Sequence, residues 1–470
     1  MSVKPAVDKP PAQSAGRTAR HSQCGKKPAL AYARAMSRRL SLLLLALTAA
    51  LPIYAEDVPW KWQEALVPEA GFDLDAAQVV RVTSLAPKGK GSLHAALTTK
   101  GPRIVVFEIS GVIALERKGI EIHEPDVFVA GQTAPAPGVT IIRGGLNIEA
   151  DRVVLQHLRV RPGDARQPKR SGWEPDGITT SGGPADVWID HCSVTWSVDE
   201  NISASTYKSP TGLPARRIFI RDCLIAEGLS DATHGKGPHS KGTLVFDGSQ
   251  QVAIVRNLYA SNTERNPVFK LDTSGVVVNC VMANPGQRAI HASVTDPENP
   301  AGKPARISVV GNVVLFGEKT KKTGAVFEGT AEAFFKDNEG YNWLGEPLPL
   351  LRAPFPTLDA PPLWPEGLNA KTPTGALWHV ARFVGARPAE RDAIDTRIVR
   401  EALTGAARII DSQEEVGGYP KIEPVTRTLE VPEKGRRAWL EKLAREVTFG
   451  PEREKAPKPI SESPKAAGAK

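Results

Sequence analysis

Two pairs of acidic residues lie on either side of a short apolar run near the middle of the chain. Glu174 and Asp176 are two residues apart in WEPDGI, before the run VWIDHC, and Asp199 and Glu200 are adjacent in SVDENIS, after it. Carboxylates that converge in a wet groove suit a hard cation such as Ca²⁺, which takes oxygen ligands in flexible geometry. Acids in loops are also common as solvated surface charges. These residues alone leave both interpretations open.

A group of cations follows the acids along the chain. Lys241 lies in HSKGTLV, and Arg265 and Lys270 flank Pro267 in TERNPVFK. If these segments lie side by side with the acidic ones, the cations flank the carboxylates and can bind an anionic ligand. The alternative is that Arg265 is a surface cation that pairs with Glu264 or with an acid in a loop.

The segment THGKGPHSKG, which leads into Lys241, adds two histidines and a second lysine. His234 and His239 either contact a substrate or only line a loop. Lys236 is an alternative to Lys241 for binding a substrate, and the sequence does not separate the two.

Short apolar runs that recur from residue 127 to residue 315 must position these side chains. When they are aligned, their last inward residues form a column with steps of 34, 31, 34, 23 and 32 residues: Leu158, Cys192, Cys223, Asn257, Cys280 and Asn312. A period of 20–50 residues with one strand signal per unit is typical of a solenoid. No helical period intervenes, so the pattern predicts an all-β parallel β-helix, in which like residues of neighbouring coils stack.

The cysteines of this column are interpreted as part of a buried interior ladder with the asparagines. Cys24 lies in the N-terminal leader, so an odd number remains and no disulfide framework is implied. No pair of cysteines has metal-ligand spacing, and no activating cation stands at a fixed offset. Asp190 and His191 are a second candidate pair for a functional site, but they fall within a strand, which favours the alternative that they support turns or the stack.

The two ends of the solenoid need covers. Residues 91–97, GSLHAAL, predict a short helix that caps the first coil. The β-helix is expected over residues 56–330 and a C-terminal extension over 331–470. In that extension, Pro-rich residues 348–367 predict extended chain on the surface. Helices are predicted in 387–405, with Pro388 near the start and Gly405 as the stop, and in 435–447. A disordered tail is expected from about residue 456.

The positive charge of the chain belongs to its leader. Residues 1–55 contain nine Lys or Arg and one acid, whereas the remaining 415 residues contain 51 basic and 51 acidic residues. Residues 36–55 show the basic, apolar and small-residue order of a secretory signal, whether translation begins at Met1 or Met36. The sequence therefore predicts a secreted or periplasmic protein, with no nucleic-acid partner, no membrane in the mature form and a monomeric state.

Several segments together resemble the landmarks of the pectate lyase superfamily, the family 1 polysaccharide lyases and their relatives. The segments occur in the family's order over about residues 75–320: GPRIVVFEISGVI, VFVAGQTAPAPGVTI, LRVRPGD, DGI, VWIDHCSVTWSVDE, HSKGTLV and RNPVFK. The resemblance implies a right-handed, single-stranded parallel β-helix. It also implies Ca²⁺-dependent β-elimination of polygalacturonate-type polymers, which yields 4,5-unsaturated oligosaccharides.

The resemblance assigns roles to particular residues. Acidic Ca²⁺ ligands correspond to Glu174 and Asp176 before the VWIDH strand and to Asp199 and Glu200 after it, where the chain lacks the family's usual spacing of four between acids. The catalytic arginine, with proline at plus two and a basic residue at plus five, corresponds to Arg265. The substrate-binding residues are then Lys241 and Lys270, with Lys236 and His239 as further candidates.

Two other functions remain open from the sequence. A glycoside hydrolase on the same kind of solenoid would need paired carboxylates for acid–base work, but the chain has no adjacent Asp-Asp pair after a strand and no Gly-His-Gly. A carbohydrate-binding protein that keeps the scaffold without catalysis is the second alternative, because a fold does not fix a function.

Overall fold

Three parallel sheets form the body of the protein. The computed structural model describes residues 59–451, except residues 294, 296–298, 319 and 321–323. In each sheet, the hydrogen-bonded neighbour of a strand comes from the preceding or the following coil. The predicted parallel β-helix is therefore confirmed. The predicted signal segment and the tail from residue 456 lie outside the described residues.

The eight coils from β2 to β25 each contribute one strand to each sheet, in the order sheet I, sheet II and sheet III. Within the described residues, sheet I contains β1 (Gln78–Val82), β2 (Arg103–Phe107), β5 (Val127–Ala130), β8 (Val153–Gln156), β11 (Ala185–Asp190), β14 (Arg216–Arg221), β17 (Gln250–Val255), β20 (Ser274–Val278), β23 (Arg306–Val310) and β26 (Glu332–Lys336). Sheet II contains β3 (Ile109–Ala114), β6 (Val139–Ile142), β9 (Arg159–Arg161), β12 (Ser193–Thr195), β15 (Leu224–Ala226), β18 (Leu258–Ala260), β21 (Val281–Ala283), β24 (Val313–Leu315), β27 (Glu339–Tyr341) and the antiparallel β28 (Val425–Thr426). Sheet III contains β4 (Ile120–Ile122), β7 (Leu146–Ile148), β10 (Ile178–Thr180), β13 (Glu200–Ala204), β16 (Lys241–Val245), β19 (Val268–Phe269), β22 (Ile290–Ala292) and β25 (Phe327–Glu328).

The core lies inside the solenoid. In it, residues at equivalent positions of neighbouring coils stack on one another and are similar in type. Val187 of β11 pairs with Val153 on one side and with Ile218 on the other, and all three are fully buried. Branched aliphatic side chains fit such a stacked interior, because each one packs against its equivalents in the neighbouring coils. This repetition produces the column that the sequence shows.

The predicted ladder of cysteine and asparagine is confirmed at the corner between sheets I and II. The Cys223 backbone N–H donates to Asn257 Oδ1 at 2.8 Å, and that of Cys280 donates to Asn312 Oδ1 at 2.9 Å. The thiols are free and buried, and burial raises the pKa of Cys280 to about 12. These cysteines are therefore inert structural residues. The ladder continues one coil beyond the prediction, to Asn338.

The ends of the solenoid agree in part with the prediction. The short helix α1 (Leu93–Leu97) buries its two leucines against the first coil, as expected for a cap. At the other end, β26 and β27 lie beyond residue 330 and complete a further coil. The predicted limit of the strands at residue 330 is therefore too early. The sequence did not reveal β26, because this strand is only partly buried and its apolar pattern is weak.

Three longer helices pack on the outside of the solenoid. They are α2 (Pro373–Phe383), α3 (Ala393–Thr404) and α4 (Arg436–Phe449). The helices α2 and α3 bury an apolar face against sheet II, and α4 packs on the outer face of sheet I with the segment around Trp60 and Trp62. Short 3₁₀ turns lie at Gly131–Thr133, Pro388–Glu390 and Gln413–Val416.

The structure corrects one helix boundary and adds one helix. Pro388 begins a 3₁₀ turn, and α3 begins only after Asp392, whose side chain caps the helix at the Asp395 N–H. Gly405 ends α3 in the left-handed conformation, as predicted. The sequence did not predict α2. None of the helices in the described ranges has the length and apolar character needed to span a bilayer.

Candidate active site

Five of the charged residues singled out in the sequence meet where strands of sheet III begin: Asp176, Asp199, Glu200, Lys241 and Arg265. Asp176 precedes β10, Glu200 opens β13 and Lys241 opens β16. Glu200 and Lys241 are paired residues of adjacent strands, and Lys241 forms a bridge to Glu264 of the next coil. Parallel stacking brings these segments together although they are 23 to 41 residues apart in the sequence.

Three carboxylates converge at this edge. Oxygen atoms of Asp176, Asp199 and Glu200 all lie within 4.8 Å of one another. Asp176 Oδ1 also accepts a hydrogen bond from the Glu200 backbone N–H at 2.9 Å, which fixes the two coils relative to each other. Burial, and after it the negative charge of Asp199, hold the pKa of Asp176 well above its usual value. A bound cation relieves such crowding of partly buried carboxylates, and three oxygen donors suit Ca²⁺.

Two stacked histidines support Asp199. His239 Nε2 lies 2.9 Å from Asp199 Oδ1, and the rings of His234 and His239 are parallel, with centroids 3.7 Å apart. Burial raises the pKa of Asp199, but the hydrogen bond from His239 and the nearby positive charges more than offset it, so the net shift is downward. One ligand atom from each of Asp199, His234 and His239 lies within 4.8 Å of the others, so these residues form a second group that could hold a metal ion.

Glu174 lies apart from the three converging acids. Its Oε1 accepts a hydrogen bond from the Gly235 backbone N–H at 2.7 Å and lies 3.5 Å from His234 Nδ1. The structure therefore places Glu174 against the loop that carries the two histidines, and not in the group formed by Asp176, Asp199 and Glu200.

Arg265 precedes β19 and reaches Glu200 from two coils further along the solenoid. Its Nη1 donates to Glu200 Oε1, and its side chain is 24% exposed. Burial lowers the pKa of Arg265, although the charges of Asp199 and Asp176 act in the opposite direction. The sequence offered Glu264 or a loop acid as a pairing partner for Arg265. In the structure, Arg265 forms its ion pair with Glu200, and Glu264 forms an ion pair with Lys241.

The three lysines occupy different environments. Lys241 is buried and donates to Glu264 Oε1. Lys270 follows β19 at the opposite edge of sheet III, and its Nζ lies 5.6 Å from the centre of the Phe246 ring. Lys236 is exposed on the histidine loop. Lys241 therefore lies at the N-terminal ends of the strands of sheet III and Lys270 at their C-terminal ends, and Lys236 lies outside the sheet.

A cavity of about 420 Å³ lies beside Arg265 and contains residues that the sequence did not assign. Arg288, His291 and Glu328 line it together with Arg265 and Lys270. Val268, His291 and Glu328 are paired across three adjacent strands and form part of its floor. The repeat register would have revealed this row, because His291 and Glu328 follow Val268 at the spacing of the coils.

The side chains of this cavity present both donors and acceptors. Arg288 lies 3.8 Å from Glu264 and 3.7 Å from Glu328. Glu328 Oε1 is buried without a hydrogen-bond partner in the described residues. Burial lowers the pKa of His291 to about 4, so this ring is neutral at neutral and alkaline pH. A sugar acid could use the arginines for its carboxylate and the two acceptors for its hydroxyl groups.

Asp190 and His191 lie in another part of the molecule. Asp190 belongs to sheet I and is held by two hydrogen bonds from Arg221, and His191 Nδ1 lies 2.8 Å from Asp190 Oδ1. Both residues are buried under the outer segments. Their predicted role in supporting the stack agrees with this position.

Curated relatives resemble most of the chain. A probable pectate lyase C of Emericella nidulans is 30% identical over 354 residues, which cover 73% of this chain and 76% of that protein. A probable pectate lyase C of Aspergillus flavus is 28% identical over 361 residues, with 74% and 78% covered. No model of a known protein family matches the chain.

Solved structures resemble the chain at lower identity. The crystal structure of jun a 1, the major allergen from cedar pollen, has a TM-score of 0.49 and 16% identity, and covers 65% of this chain and 88% of that one. The pectate lyase Bsp165PelA from Bacillus sp. N165, in complex with trigalacturonate, has a TM-score of 0.41 and 12% identity, with 69% and 98% covered.

Proposed function

The chain belongs to the pectate lyase family, and we propose that it cleaves polygalacturonate-type uronic acid polymers by Ca²⁺-dependent β-elimination. The observation that carries this proposal is the meeting of Asp176, Asp199 and Glu200 with the partly buried Arg265 where strands of sheet III begin. The expected products are oligosaccharides with a 4,5-unsaturated end.

Asp176, Asp199 and Glu200 would hold the cation. Burial, and after it the charge of Asp199, raises the pKa of Asp176, and a divalent ion would stabilise the ionised form of all three carboxylates, which supports this assignment. Bound Ca²⁺ would offset the charge of the sugar carboxylate and so make the C5 proton more acidic. Glu174 is proposed as an outer residue that orients the histidine loop through Gly235.

Arg265 is the proposed base. Its low exposure disfavours the charged guanidinium and lowers its pKa, which is the direction that a base requires. In the elimination, the C5–H bond breaks and the proton passes to Arg265. The electron pair forms the C4–C5 double bond, and the C4–O bond breaks with its electrons on the leaving oxygen. We expect an alkaline optimum, because an arginine loses its proton only at high pH.

The remaining cations would bind the substrate. Lys270 and Arg288 line the cavity beside Arg265 and suit uronate carboxylates, and His291 and Glu328 offer acceptors for hydroxyl groups. Lys241, which donates a hydrogen bond to Glu264, would contribute positive charge at the N-terminal ends of the strands of sheet III. Lys236, on the exposed loop, is proposed as an outer contact, and His239 acts through Asp199.

The test is a panel of polymers incubated at alkaline pH with Ca²⁺ or with a chelator. Absorbance in the ultraviolet reports the unsaturated uronide, and an assay for reducing ends reports any cleavage. We expect both signals with polygalacturonate and Ca²⁺, and neither with the chelator. Reducing ends without absorbance would indicate a hydrolase, and binding without either signal would indicate a non-catalytic carbohydrate-binding protein.

Export is part of the same proposal. A polysaccharide of the plant cell wall lies outside the cell that secretes the enzyme. Residues 36–55 have the basic, apolar and small-residue regions of a secretory signal, in that order. Mass spectrometry of the protein recovered from the medium or the periplasm should show an N-terminus close to residue 56. Full-length protein retained in the cytoplasm would contradict export.

A further inference from the structure

A second pocket lies on the helices outside the solenoid. It is formed by the end of α2, the 3₁₀ turn Pro388–Glu390 and the end of α4, and its volume is about 700 Å³. This size falls within the range of ordinary ligand sites, which is about 300–1,000 Å³. We call it the helix pocket. Its lining residues are Ala381, Arg382, Phe383, Pro388, Ala389, Arg391, Thr448, Phe449, Gly450 and Pro451.

The charge of the helix pocket is positive. Arg382 and Arg391 line it, Arg445 lies over the ring of Phe449, and no acidic residue is among the lining residues. In the part of the chain that the structure describes, none of these three arginines forms an ion pair with a carboxylate within 4.0 Å. An arginine guanidinium group binds planar oxyanions well, because it donates two parallel N–H hydrogen bonds to the two oxygen atoms. The pocket is therefore suited to a carboxylate ligand.

Two buried donors at this pocket have no acceptor among the described residues. Thr448 Oγ1 is buried without a hydrogen-bond partner, and the residue is only 3% exposed. Arg391 donates from Nη2 to the Val384 carbonyl at 3.1 Å, but its Nε is also buried without a partner. A buried polar group left unpaired costs about 1–3 kcal/mol. Ligand oxygens that reach these donors would remove part of that cost.

Phe383 and Phe449 line the helix pocket, and Trp378 lies beside it against Phe383. Trp378 is 40% exposed, packs edge-on against Phe383 at 5.5 Å, and carries the Arg382 guanidinium 4.6 Å from its ring centre. Rings that combine an apolar face with neighbouring polar groups are suited to ligands that are polar at the edge and apolar on one face. A sugar acid has this character, since its ring presents C–H groups on one face and hydroxyl and carboxylate oxygens at its edge.

We propose that the helix pocket is a second, non-catalytic site for a uronate residue of an acidic polysaccharide. The identity of the polymer rests on the proposed function. The pocket contains none of the residues of the candidate active site, since it is built from the C-terminal helices that pack on sheets I and II, whereas the active site lies on sheet III. Two sites on one chain raise the apparent affinity for a long polymer, because the second contact is made at a high effective concentration.

The test is a calorimetric titration of the full chain with trigalacturonate in the presence of a chelator. Without Ca²⁺ the active site does not turn over and lacks its cation-dependent contacts. Binding by its own side chains is unaffected by substitutions on the helices, so a loss of binding in a helix-pocket variant reports the helix pocket. We expect one equivalent of ligand to bind there. The double variant Arg382→Ala/Arg445→Ala should weaken this binding about tenfold or more, as expected for the loss of charge-assisted hydrogen bonds. Trp378→Ala should weaken it as well.

The matched control is Arg400→Ala, because Arg400 lies on the neighbouring helix α3 with a side chain that is 67% exposed. This variant should bind as the unaltered chain does. Absence of binding with the chelator, or binding that the double variant leaves unchanged, would overturn the proposal. Equal affinity for DNA, an anionic polymer without uronate, would overturn the uronate assignment. The ultraviolet assay on the unaltered protein reports separately on the proposed lyase activity, so the two failures are distinguishable.

Discussion

At the scale of single residues, Arg265 shows how the environment changes an ordinary cation. Burial lowers its pKa, while the negative charges of Asp199 and Asp176 raise it. A cation bound among the acids would neutralise these charges and leave burial as the dominant effect. The sequence identified Arg265 by its spacing to Pro267 and Lys270, but only the structure shows that Glu200 holds its side chain beside the acids.

The first prediction concerns this residue. Arg265→Lys should lower kcat by at least about 100-fold, as expected for removal of a general base, because the shorter ammonium group cannot reach the same position. Binding of Ca²⁺ and of substrate should remain close to that of the unaltered chain. Initial rates from ultraviolet absorbance and calorimetric titrations measure the two properties. A variant with near-full turnover would show that Arg265 is not the base.

The second prediction concerns His239. His239→Ala removes the hydrogen bond that orients Asp199, and loss of such an outer partner weakens metal binding by about 10–100-fold. Direct calorimetric titration with Ca²⁺ should therefore show at least about tenfold weaker binding. His239→Gln, which can still donate to Asp199, is the matched control and should retain most of the affinity. Unchanged Ca²⁺ binding in the alanine variant would contradict this role.

At the scale of elements, the interior ladder holds the strands in register. Asn257 accepts from the Cys223 N–H and donates to the Ile220 carbonyl, both at 2.8 Å, and it is fully buried. The sequence revealed this ladder because its members recur once per coil. The helix α2 was missed, although Thr372 caps it and Pro373 opens it. The Pro-rich segment that precedes α2 hides the start of the helix in the sequence. The packing of the apolar face of α2 against sheet II is what stabilises a helix at this position.

The third prediction tests the ladder. Asn257→Ala leaves a buried N–H and a buried carbonyl without partners, so the free energy of unfolding should fall by about 2–5 kcal/mol. Urea denaturation measures the change. Asn369→Ala, at an exposed asparagine, is the control and should change stability by no more than about 0.5 kcal/mol. Equal effects of the two substitutions would indicate that the ladder does not stabilise the fold.

At the scale of the whole molecule, the outer segments bury titratable groups that are exposed in the unfolded chain. The His157 ring stacks on His191 at 5.0 Å, and its Nδ1 donates to the Ala386 carbonyl, which lies between α2 and α3. Burial, and then the charge of His191, lower the pKa of His157 from 6.5 to about 3. The folded state therefore binds fewer protons than the unfolded state between these values. The contribution of His157 to the free energy of unfolding is therefore fully present above pH 6.5 and is lost as the pH falls from 6.5 toward 3.

The fourth prediction follows from this sign. Between pH 6.5 and 4.5, most carboxylates of the unfolded chain are still ionised, so buried histidines account for much of the slope of stability against pH. His157→Gln should reduce that slope by about 1.4 kcal/mol per pH unit at most, the value for one proton. Urea midpoints measured across this range give the slope. His123→Gln, at a histidine whose side chain is 55% exposed, is the control. An unaltered slope for His157→Gln would contradict the pKa shift.

The sequence by itself determined the solenoid, the ladder and the residue types of the site, because each coil repeats the same strand pattern and a periodic signal survives variable loops. The tertiary structure alone decided which charges meet. It separated Glu174 from Asp176, Asp199 and Glu200, assigned Glu200 to Arg265 and Glu264 to Lys241, and brought Arg288, His291 and Glu328 into one cavity. It also formed the helix pocket from residues that no motif marks. Ion pairs and cavities depend on distances of a few ångströms between distant segments, and the spacing of residues along the chain does not specify them.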